Sequence, residues 1–366
     1  MRKVGLFGGS FDPIHKGHIQ IALYALKVLK LDEIQLIPTK NNPWKDEDCA
    51  SEVDRCHMIN LAIQDYPQLS LQTIEVDNVS NEKNYTIDTI KALIQNNTDT
   101  QYYYIMGMDQ ANLFYKWKKA KKISQLVQLV AFQRGGYKPD KKEMKEYHFL
   151  ILDNLPLSMS SSEVRKGHLE MLDPQVLQYI SSQGIYLETM VKCRMKDKRW
   201  KHTCSVAQLA SKIAKANGLN EKQAYIAGML HDVAKEMDDD QAYHIMEKYF
   251  PSYKDKPKAI WHQWVSRYVS EHEFLVDDVV VLKAIEHHTT GSVDISPIGK
   301  CLYVADKLDP LRGYDSSVQI ATCMKDIHQG FKDELVNFYN FSVKKGRPID
   351  ECFYEIYDYF VKKGKI

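Results

Sequence analysis

Hydrophobic and polar positions follow two different patterns along the chain. Up to about residue 188, short apolar runs typical of strands alternate with stretches of helical spacing. The predicted strands cover 3–7, 33–37, 71–76, 102–106 and 126–132, and the clearest predicted helices cover 19–29, 56–64 and 87–95. This alternation predicts an α/β domain with a doubly wound parallel sheet of the Rossmann-like kind, which binds ligands beyond the carboxyl ends of its strands.

From about residue 189 only the helical pattern remains. Apolar residues recur at helical spacing from Val206 to Ala214, and the stretches 221–235, 261–272, 276–288 and 297–308 are also predicted to be helical. We therefore predict an all-α second domain and place the two domains at 1–188 and 189–366. No linker rich in glycine or proline marks the boundary, and the polar stretch 188–199 is compatible with a helix.

The composition narrows the class of protein. Of 366 residues, 44% are hydrophobic and 27% are charged, and no apolar run is long enough to cross a bilayer or to form a signal peptide. Seven cysteines without a Cys-x-x-Cys pair argue against a disulfide framework. A net charge of +1 gives no general attraction to nucleic acid. We expect a cytoplasmic protein with reduced thiols that binds neither membranes nor nucleic acid.

The segment 8–18 carries the first candidate chemistry. It reads Gly-Gly-Ser-Phe-Asp-Pro-Ile-His-Lys-Gly-His, directly after the first predicted strand and at the start of a helix. Glycines let the backbone approach a phosphate, and a helix start offers N–H groups to an anion. His15 and His18 are three residues apart and share one helical face, and Gly17 leaves room beside them. A glycine-rich turn with incidental histidines is the alternative interpretation.

With these residues the segment resembles the nucleotidylyltransferase family, whose mark is His-x-Gly-His, and more closely the nicotinate-nucleotide adenylyltransferases. Further matches include Asn84-Tyr85-Thr86, Gly107-Met108-Asp109 and the run from Ser160 to Arg165, so the resemblance covers about residues 1–188. It implies transfer of an adenylyl group from ATP to nicotinate mononucleotide with Mg²⁺. His-x-Gly-His alone leaves pantetheine-phosphate and other transferases open, and the preference between nicotinate and nicotinamide is not decided.

The resemblance also implies roles for individual residues. The catalytic set is His18, His15, Lys45 and Arg165. The ATP-binding set is Gly8, Gly9, Ser10, Phe11, Gly17, Gly107, Asp109, Ser160 and Ser161. The pyridine-nucleotide set is Tyr85, Thr86, Trp117 and Arg134. Without the resemblance, the serines from Ser160 could form only a helix cap, Lys45 and Arg55 could be surface charges, and Trp117 could be a core aromatic.

The second half contains a spaced set of metal-ligating residue types: His202, the pair His231-Asp232, His262, the pair His287-His288, and Asp306. Imidazole and carboxylate together suit iron, manganese, zinc and similar ions, and an aspartate can bridge two of them. Adjacent helical residues diverge by about 100°, so the pair at 231 and 232 would straddle a cluster. A lone helical histidine such as His244 is more often only a satisfied polar side chain.

This set resembles the HD-domain phosphohydrolases, and especially their symmetrical bis(5'-nucleosyl)-tetraphosphatase branch, over about residues 190–366. The resemblance implies two divalent transition metals, usually iron, held by His202, His231, Asp232, His262, His288 and Asp306. It also implies that Lys235 and Arg312 hold the substrate polyphosphate, and that diadenosine tetraphosphate gives two ADP. Two departures are Ser266-Arg267 in place of the usual Gly-Ala, and His287 in place of a tyrosine, so 287 and 288 both remain ligand candidates.

Together the two halves predict a bifunctional enzyme whose partners are ATP, nicotinate mononucleotide and dinucleoside polyphosphates. Two alternatives remain for the HD domain. It could act on another nucleotide, as deoxynucleotide triphosphohydrolases or cyclic-dinucleotide phosphodiesterases do, although the Gly-Tyr-Pro mark of the latter is absent. It could also be a non-catalytic regulatory module. The sequence leaves the oligomeric state open, with a homo-oligomer among the choices.

Overall fold

The chain folds into two compact units, Met1–Val176 and Leu177–Ile366, in a computed structural model. The structure describes residues 1–40, 49–78, 85–133, 136–152 and 159–365. The division at Val176 falls twelve residues before the predicted boundary at residue 188, and that boundary stays a prediction.

The first unit is built on a six-stranded sheet in which every neighbouring pair is parallel. The strands are β1 (Arg2–Gly9), β2 (Glu33–Pro38), β3 (Leu69–Leu71), β4 (Thr100–Gly107), β5 (Gln128–Phe132) and β6 (Leu150–Leu152). Their order is β3-β2-β1-β4-β5-β6, so the direction of winding reverses between β1 and β4. The predicted doubly wound α/β fold is confirmed.

Helices connect these strands and cover the sheet. They are α1 (Lys16–Leu29), α2 (Glu52–Ile63), α3 (Thr86–Asn96), α4 (Met108–Ala111), α5 (Ala120–Leu126), α6 (Lys141–Glu146) and α7 (Ser161–Arg165), and α8 (Pro174–Gln183) spans the division between the units. In β1, four consecutive residues from Val4 to Phe7 are buried. Burial on both faces is what a central parallel strand requires, because helices cover the sheet on either side.

One predicted strand was wrong, and one strand of the sheet was not predicted. The stretch 71–76 is not a strand, because β3 ends at Leu71 and the next residues turn. There the Gln72 side chain accepts a hydrogen bond from Ile74 N–H at 3.1 Å, and Asp77 N–H donates to the Thr73 carbonyl at 2.8 Å. Such local bonds compete with a sheet ladder. The edge strand β6 was missed, because three residues are too few to display an alternating pattern.

The second unit consists of helices, and its described residues contain no strand. Its remaining helices are α9 (Leu187–Lys192), α10 (Asp197–Ala216), α11 (Glu221–Leu230), α12 (Asp239–Tyr249), α13 (His262–His272), α14 (Val279–His287), α15 (Pro297–Leu308), α16 (Ser317–Lys325), α17 (Ile327–Lys345) and α18 (Glu351–Tyr357). The predicted all-α character is confirmed. Within the described residues, none of the helices is both long and apolar enough to cross a bilayer.

Close packing of α10 against α11 helps to position the second candidate site. A Cβ atom placed on Gly228 would lie 2.5 Å from the Cα atom of Ala207, so only glycine lets the two helices approach this closely. The predicted helix 221–235 is too long, since α11 ends at Leu230 and residues 231–236 form turns. His231 and Asp232 therefore lie at the end of a helix rather than inside one.

We expect fragment 177–366 to be more stable than fragment 190–366, because the shorter one lacks α8 and the start of α9. The Ser181 hydroxyl donates to the Phe274 carbonyl, and Leu187 is fully buried. Loss of one such buried leucine costs about 2–5 kcal/mol. Thermal unfolding followed by circular dichroism should show a melting temperature several degrees lower for 190–366. Equal melting temperatures would mean that these helices add nothing to the core of the second unit.

Candidate active sites

The first site lies where the sheet reverses its winding. Gly9 ends β1 and Gly107 ends β4, and these two strands are hydrogen-bonded neighbours. The crevice beyond the carboxyl ends of two such strands is where open parallel sheets bind ligands. A Cβ atom on Gly107 would lie 2.5 Å from the Asp109 Oδ1 atom, so a glycine at this strand end makes room for the carboxylate.

Two adjacent imidazoles, with ring planes inclined by 34°, form the centre of this site. His15 is the residue before α1, and it is 4% exposed. Its backbone N–H donates to His18 Nδ1 at 3.2 Å, and the two ring centroids are 3.8 Å apart. A Cβ atom on Gly17 would come within 3.0 Å of the His15 ring. The His-x-Gly-His spacing thus places both rings together at a helix start, where an anion is favoured.

Phe11 is buried, and its ring packs against the imidazole pair. It is 1% exposed and has a φ angle of 46°, a left-handed conformation that is uncommon for a residue other than glycine. Its ring packs at 5.0 Å from the His18 ring and at 5.6 Å from the Phe7 ring. The buried aromatic contacts hold this backbone conformation in place, and they fix the face of His18 that points away from solvent.

The short helix α7 reaches the segment 8–18 through two side chains. The Ser161 hydroxyl donates to the Pro13 carbonyl at 2.9 Å. The Arg165 guanidinium donates to the Asp12 carbonyl and lies 3.7 Å from the Asp12 carboxylate. Ser160 caps α7, since its hydroxyl accepts from Glu163 N–H at 3.2 Å. Capping therefore accounts for Ser160, while Ser161 and Arg165 lie beside the histidine segment.

Arg55 is buried, so its interpretation as a surface charge is wrong. It is 4% exposed, and its guanidinium donates to the Ser10 and Thr39 carbonyls at 2.7 Å each. These carbonyls belong to the loops that follow β1 and β2. Arg55 thereby links the loops that follow β1 and β2, next to the glycine-rich segment 8–18.

Three of the four predicted pyridine-nucleotide residues, Tyr85, Thr86 and Trp117, lie in the part of the chain that the structure describes. Tyr85 precedes α3, which begins at Thr86, and Lys118 Nζ lies 3.7 Å from the centre of the Tyr85 ring. Trp117 packs edge-on against Tyr104 with ring centroids 5.9 Å apart, and it is only partly buried. Trp117 thus combines a core contact with an accessible surface. The predicted residues Lys45 and Arg134 lie outside the described residues.

In the second unit, the six predicted metal-ligating residues come together from five parts of the chain: His202 on α10, His231 and Asp232 after α11, His262 at the start of α13, His288 after α14, and Asp306 on α15. Potential ligand atoms of His202, His231 and Asp232 lie within 4.8 Å of one another, and the same holds for Asp232, His262 and His288. Asp232 belongs to both groups. The arrangement therefore suits two cations bridged by one carboxylate.

Hydrogen bonds at Nδ1 aim the Nε2 atoms of three imidazoles into this cluster. His231 Nδ1 lies 2.6 Å from the Gly228 carbonyl, and His288 Nδ1 lies 2.7 Å from the Ile285 carbonyl. His202 Nδ1 lies 2.6 Å from the Asp309 carboxylate. For His231 and His288, the acceptor at Nδ1 fixes the tautomer that leaves a lone pair on Nε2, the usual arrangement of metal-ligating histidines. His202 differs, because its Nε2 atom also lies 3.2 Å from Asp306 Oδ1; burial opposes its protonation, but the hydrogen bonds with Asp306 and Asp309 raise its pKa.

His231 gives a direct test of whether a cation fits. Its Nε2 atom is fully buried and has no hydrogen-bond partner in the described part of the chain. The nearest carboxylate oxygens are those of Asp232 at 3.6 Å and Asp306 at 4.0 Å. A buried polar atom without a partner is costly, and a positive ion between the imidazole and the carboxylates would remove that cost. The donor set of nitrogen and carboxylate oxygen fits a divalent transition metal.

The protonation states suit this interpretation. Burial lowers the pKa of His262 to about 4 and lowers the pKa of His288 well below its usual value, so both rings are neutral at pH 7. Burial alone would raise the pKa of Asp306, but its hydrogen bond with His202 and the charge of Lys307 hold that pKa well below the usual range. Neutral imidazoles and ionised carboxylates are the forms that bind metals.

Cationic side chains surround the carboxylates. Arg199 lies 2.6 Å from Asp232, and Arg312 lies 2.7 Å from Asp306. Lys235 Nζ lies 2.7 Å from His262 Nδ1, and burial lowers the pKa of this lysine. The predicted substrate residues Lys235 and Arg312 therefore contact the cluster itself and do not extend freely into solvent.

Sequence reasoning missed Asp309 and left His287 unresolved. Asp309 is 1% exposed and accepts from the Ser205 hydroxyl at 2.5 Å, besides its contact with His202. Its position three residues after Asp306 was the available signal, although α15 ends between them. His287 does not enter the cluster: its Nδ1 atom is buried without a hydrogen-bond partner among the described residues, near the Glu286 charge.

Comparisons with known proteins agree with these two sites. Residues 6–167 match the family described as cytidylyltransferase-like, and residues 199–311 match the HD domain. The chain is 31% identical over 317 residues to the probable nicotinate-nucleotide adenylyltransferase/Ap4A hydrolase of Mycoplasma genitalium, which covers 85% of this chain and 88% of that protein. It is 28% identical over 342 residues to the protein of the same name from Mycoplasma pneumoniae, which covers 90% and 97% respectively. The probable nicotinate-nucleotide adenylyltransferase of Shouchella clausii is 33% identical over 191 residues, which is 51% of this chain and 97% of that protein.

We expect Asp309→Asn to weaken divalent metal binding by about 10–100-fold, because an amide in this place holds the His202 ring less firmly and donates less electron density to it. The change keeps the size of the side chain. Binding of Mn²⁺ to the chelator-treated protein, measured by calorimetry, checks the effect. Asp315→Asn, on an exposed carboxylate of the same unit, is the matched control. Wild-type affinity in Asp309→Asn would show that this carboxylate does not position a ligand.

Proposed function

This chain belongs to the nicotinate-nucleotide adenylyltransferase/Ap4A hydrolase family, and we propose that its first unit performs the transfer while its second unit performs the hydrolysis. The observation that carries the proposal is the extent of the match. The Mycoplasma genitalium relative matches 85% of the chain, whereas the Shouchella clausii transferase matches only half of it. The remaining half holds the cluster of histidines and aspartates.

The first unit joins nicotinate mononucleotide to the adenylyl group of ATP. A phosphate oxygen of the mononucleotide attacks the α-phosphorus of ATP, the bond to the β-phosphate breaks, and pyrophosphate leaves. No protein nucleophile takes part, so the side chains act by positioning and by stabilising charge. Mg²⁺, bound with ATP, neutralises phosphate oxygens.

Three groups near the start of α1 can meet the negative charge of that transfer. His15 and His18 lie at the positive end of the helix, and Arg165 lies beside the loop that leads into it. The buried Asp12 carboxylate accepts from Ala50 N–H at 3.0 Å and faces Arg165. Because Asp12 is 1% exposed, it stabilises the loop while it presents little negative charge to an incoming polyphosphate.

The second unit hydrolyses diadenosine tetraphosphate to two ADP. Two divalent metal ions held there would lower the pKa of a water molecule and neutralise phosphate oxygens. His202, His231, Asp232, His262, His288 and Asp306 would hold these ions. Arg312 and Lys235 stand at the edge of the cluster, where their N–H donors can bind oxygens of the polyphosphate.

Several finer points belong to this proposal. Iron is the metal that the HD-domain resemblance favours, although the donor set also suits manganese. The proposed substrates are ATP, nicotinate mononucleotide and dinucleoside polyphosphates, and the cytoplasm is the expected location. A homo-oligomer remains an expectation for a sizing experiment. Nicotinate is the preferred pyridine nucleotide, because the related transferases carry that name.

His18→Ala should lower adenylyl transfer by about 100-fold or more, because it removes a contact to transition-state charge. Release of pyrophosphate from ATP and nicotinate mononucleotide measures the effect. His57→Ala, on the exposed face of α2, serves as the control for loss of a histidine. Hydrolysis of diadenosine tetraphosphate should continue in both variants. Unchanged transfer in His18→Ala would remove this residue from the active site.

Asp232→Asn should abolish hydrolysis of diadenosine tetraphosphate and remove most bound metal, because this carboxylate belongs to both ligand groups. Metal analysis of the wild-type protein should find about two ions per chain. Adenylyl transfer should persist in the variant. Chromatography of the wild-type reaction should show ADP as the only nucleotide product, and a mixture of AMP and ATP would contradict symmetrical cleavage.

A further inference from the structure

A threonine hydroxyl enters the metal-ligating cluster from the turn that follows α14. Thr289 Oγ1 lies 3.0 Å from His262 Nε2 and 3.0 Å from His288 Nε2. The two nitrogen atoms are 3.2 Å apart. The three atoms therefore form a nearly equilateral triangle on one side of the cluster, and Asp232 Oδ1 lies 3.5 Å and 3.8 Å from the two nitrogens.

The size of this triangle is informative. Ligand atoms at ~2.1 Å from an octahedral ion are ~3.0 Å apart when they are neighbours, because their directions are perpendicular. Around a tetrahedral ion with the same bond length the separation is ~3.4 Å. The observed sides of 3.0, 3.0 and 3.2 Å correspond to one face of an octahedron. One ion can therefore lie within bonding distance of both nitrogens and the hydroxyl oxygen.

The turn that carries Thr289 is held in register with His262. The backbone N–H of the next residue, Thr290, donates to the Gln263 side chain at 3.2 Å, and Gln263 is fully buried directly after His262. Gly291 has a φ angle of 77°, and its N–H donates to the His287 carbonyl at 2.8 Å. The hydroxyl is thus fixed relative to both imidazoles by the fold and is not a surface group that happens to lie near them.

The same atoms can also form a chain of hydrogen bonds in the protein without metal. The His288 ring donates from Nδ1 to the Ile285 carbonyl, so its Nε2 carries a lone pair. Lys235 Nζ can donate to His262 Nδ1, His262 Nε2 to Thr289 Oγ1, and the hydroxyl to His288 Nε2. A cation bound to both nitrogens and the hydroxyl oxygen would replace the last two of these hydrogen bonds. An oxygen that shares a cation with two nitrogens satisfies all three atoms at once.

We propose that Thr289 Oγ1 is a metal ligand that completes the half of the centre formed by Asp232, His262 and His288. This inference rests on the proposed metal-dependent function of the second unit. It adds a neutral oxygen to two nitrogens and a carboxylate, and it raises the ligand number beyond what a tetrahedral ion takes. Hard oxygen donors and octahedral geometry favour manganese or iron over zinc, so the hydroxyl also selects the metal.

The test is Mn²⁺ binding to full-length protein after chelator treatment, compared among wild type, Thr289→Val, Thr289→Ser and Thr290→Val. Thr289→Val replaces the hydroxyl by a methyl group of equal size and should weaken one of two Mn²⁺ sites by at least tenfold, while Zn²⁺ affinity changes less. Thr289→Ser keeps the oxygen and should bind like wild type. Thr290→Val is the matched control, because its backbone N–H keeps the contact with Gln263.

A variant that gains a preference for one metal provides a second measurement, which does not depend on loss of metal binding. Thr289→Cys replaces a hard oxygen by a soft sulfur and should raise the ratio of Zn²⁺ to Mn²⁺ affinity by more than tenfold. The absorption spectrum of the Co²⁺-loaded variant should then show a thiolate charge-transfer band. Circular dichroism establishes that each variant is folded, and Thr289→Ser and Thr289→Cys still decide the question if the valine variant does not fold.

The outcomes separate this inference from the function on which it rests. If Thr289→Val binds both Mn²⁺ ions as wild type does, the hydroxyl is only a hydrogen-bond partner of the metal-free imidazoles, and the inference is wrong. The metal centre would still stand in that case, provided that Asp232→Asn loses metal. If wild type binds no Mn²⁺, Fe²⁺ or Zn²⁺, the proposed metal-dependent function fails as well.

Discussion

The second unit depends on one buried carboxylate that serves several partners. Asp232 is 4% exposed, lies within 4 Å of three imidazoles and forms an ion pair with Arg199 at 2.6 Å. An ionised group at such depth is stable only if opposite charge or hydrogen bonds surround it. The side chains that contact this one group lie on α10 and α13 and directly after α11 and α14. The packing of the helical core and the assembly of the cluster therefore depend on the same contacts.

A different constraint organises the first unit. Parallel strands end at one edge of the sheet, and the winding reverses between β1 and β4, where open sheets of this kind form a ligand-binding crevice. Two buried charged residues stabilise the loops at this edge. Arg55 donates to the carbonyls that follow two strands, and the Asp12 carboxylate accepts from Ala50 N–H and pairs with Arg165. These contacts hold the loop that leads to His15 and His18 at the carboxyl ends of the strands.

The sequence predicted the parts whose pattern repeats or whose residue types are rare. Central strands and several helices were predicted because their apolar positions repeat, and the set of histidines and aspartates because few other roles require them, whereas the 19-residue helix α17 was not predicted. β6 is too short to show a period, and 71–76 has the right residues for a strand but forms side-chain hydrogen bonds instead. Asp309 and Thr289 are common residue types whose importance comes from contacts with His202 and His262, far away in sequence. Such pairings become visible only when the chain is folded.

Under the proposed function, only the second unit activates water for attack. This difference follows from the sign of the charge that each unit presents at its site. The first collects imidazoles and guanidinium groups and buries its carboxylate, so it can stabilise a polyphosphate without activating water, as transfer between two nucleotides requires. The second places Asp232 beside the neutral imidazoles of His262 and His288, an environment that suits divalent cations, and under the proposed function these cations would supply a water nucleophile. Arg199 and Arg312 form ion pairs with Asp232 and Asp306. Under the proposed function, bound cations would take over the neutralisation of these carboxylates, and the N–H donors of the two arginines would then be available to phosphate oxygens.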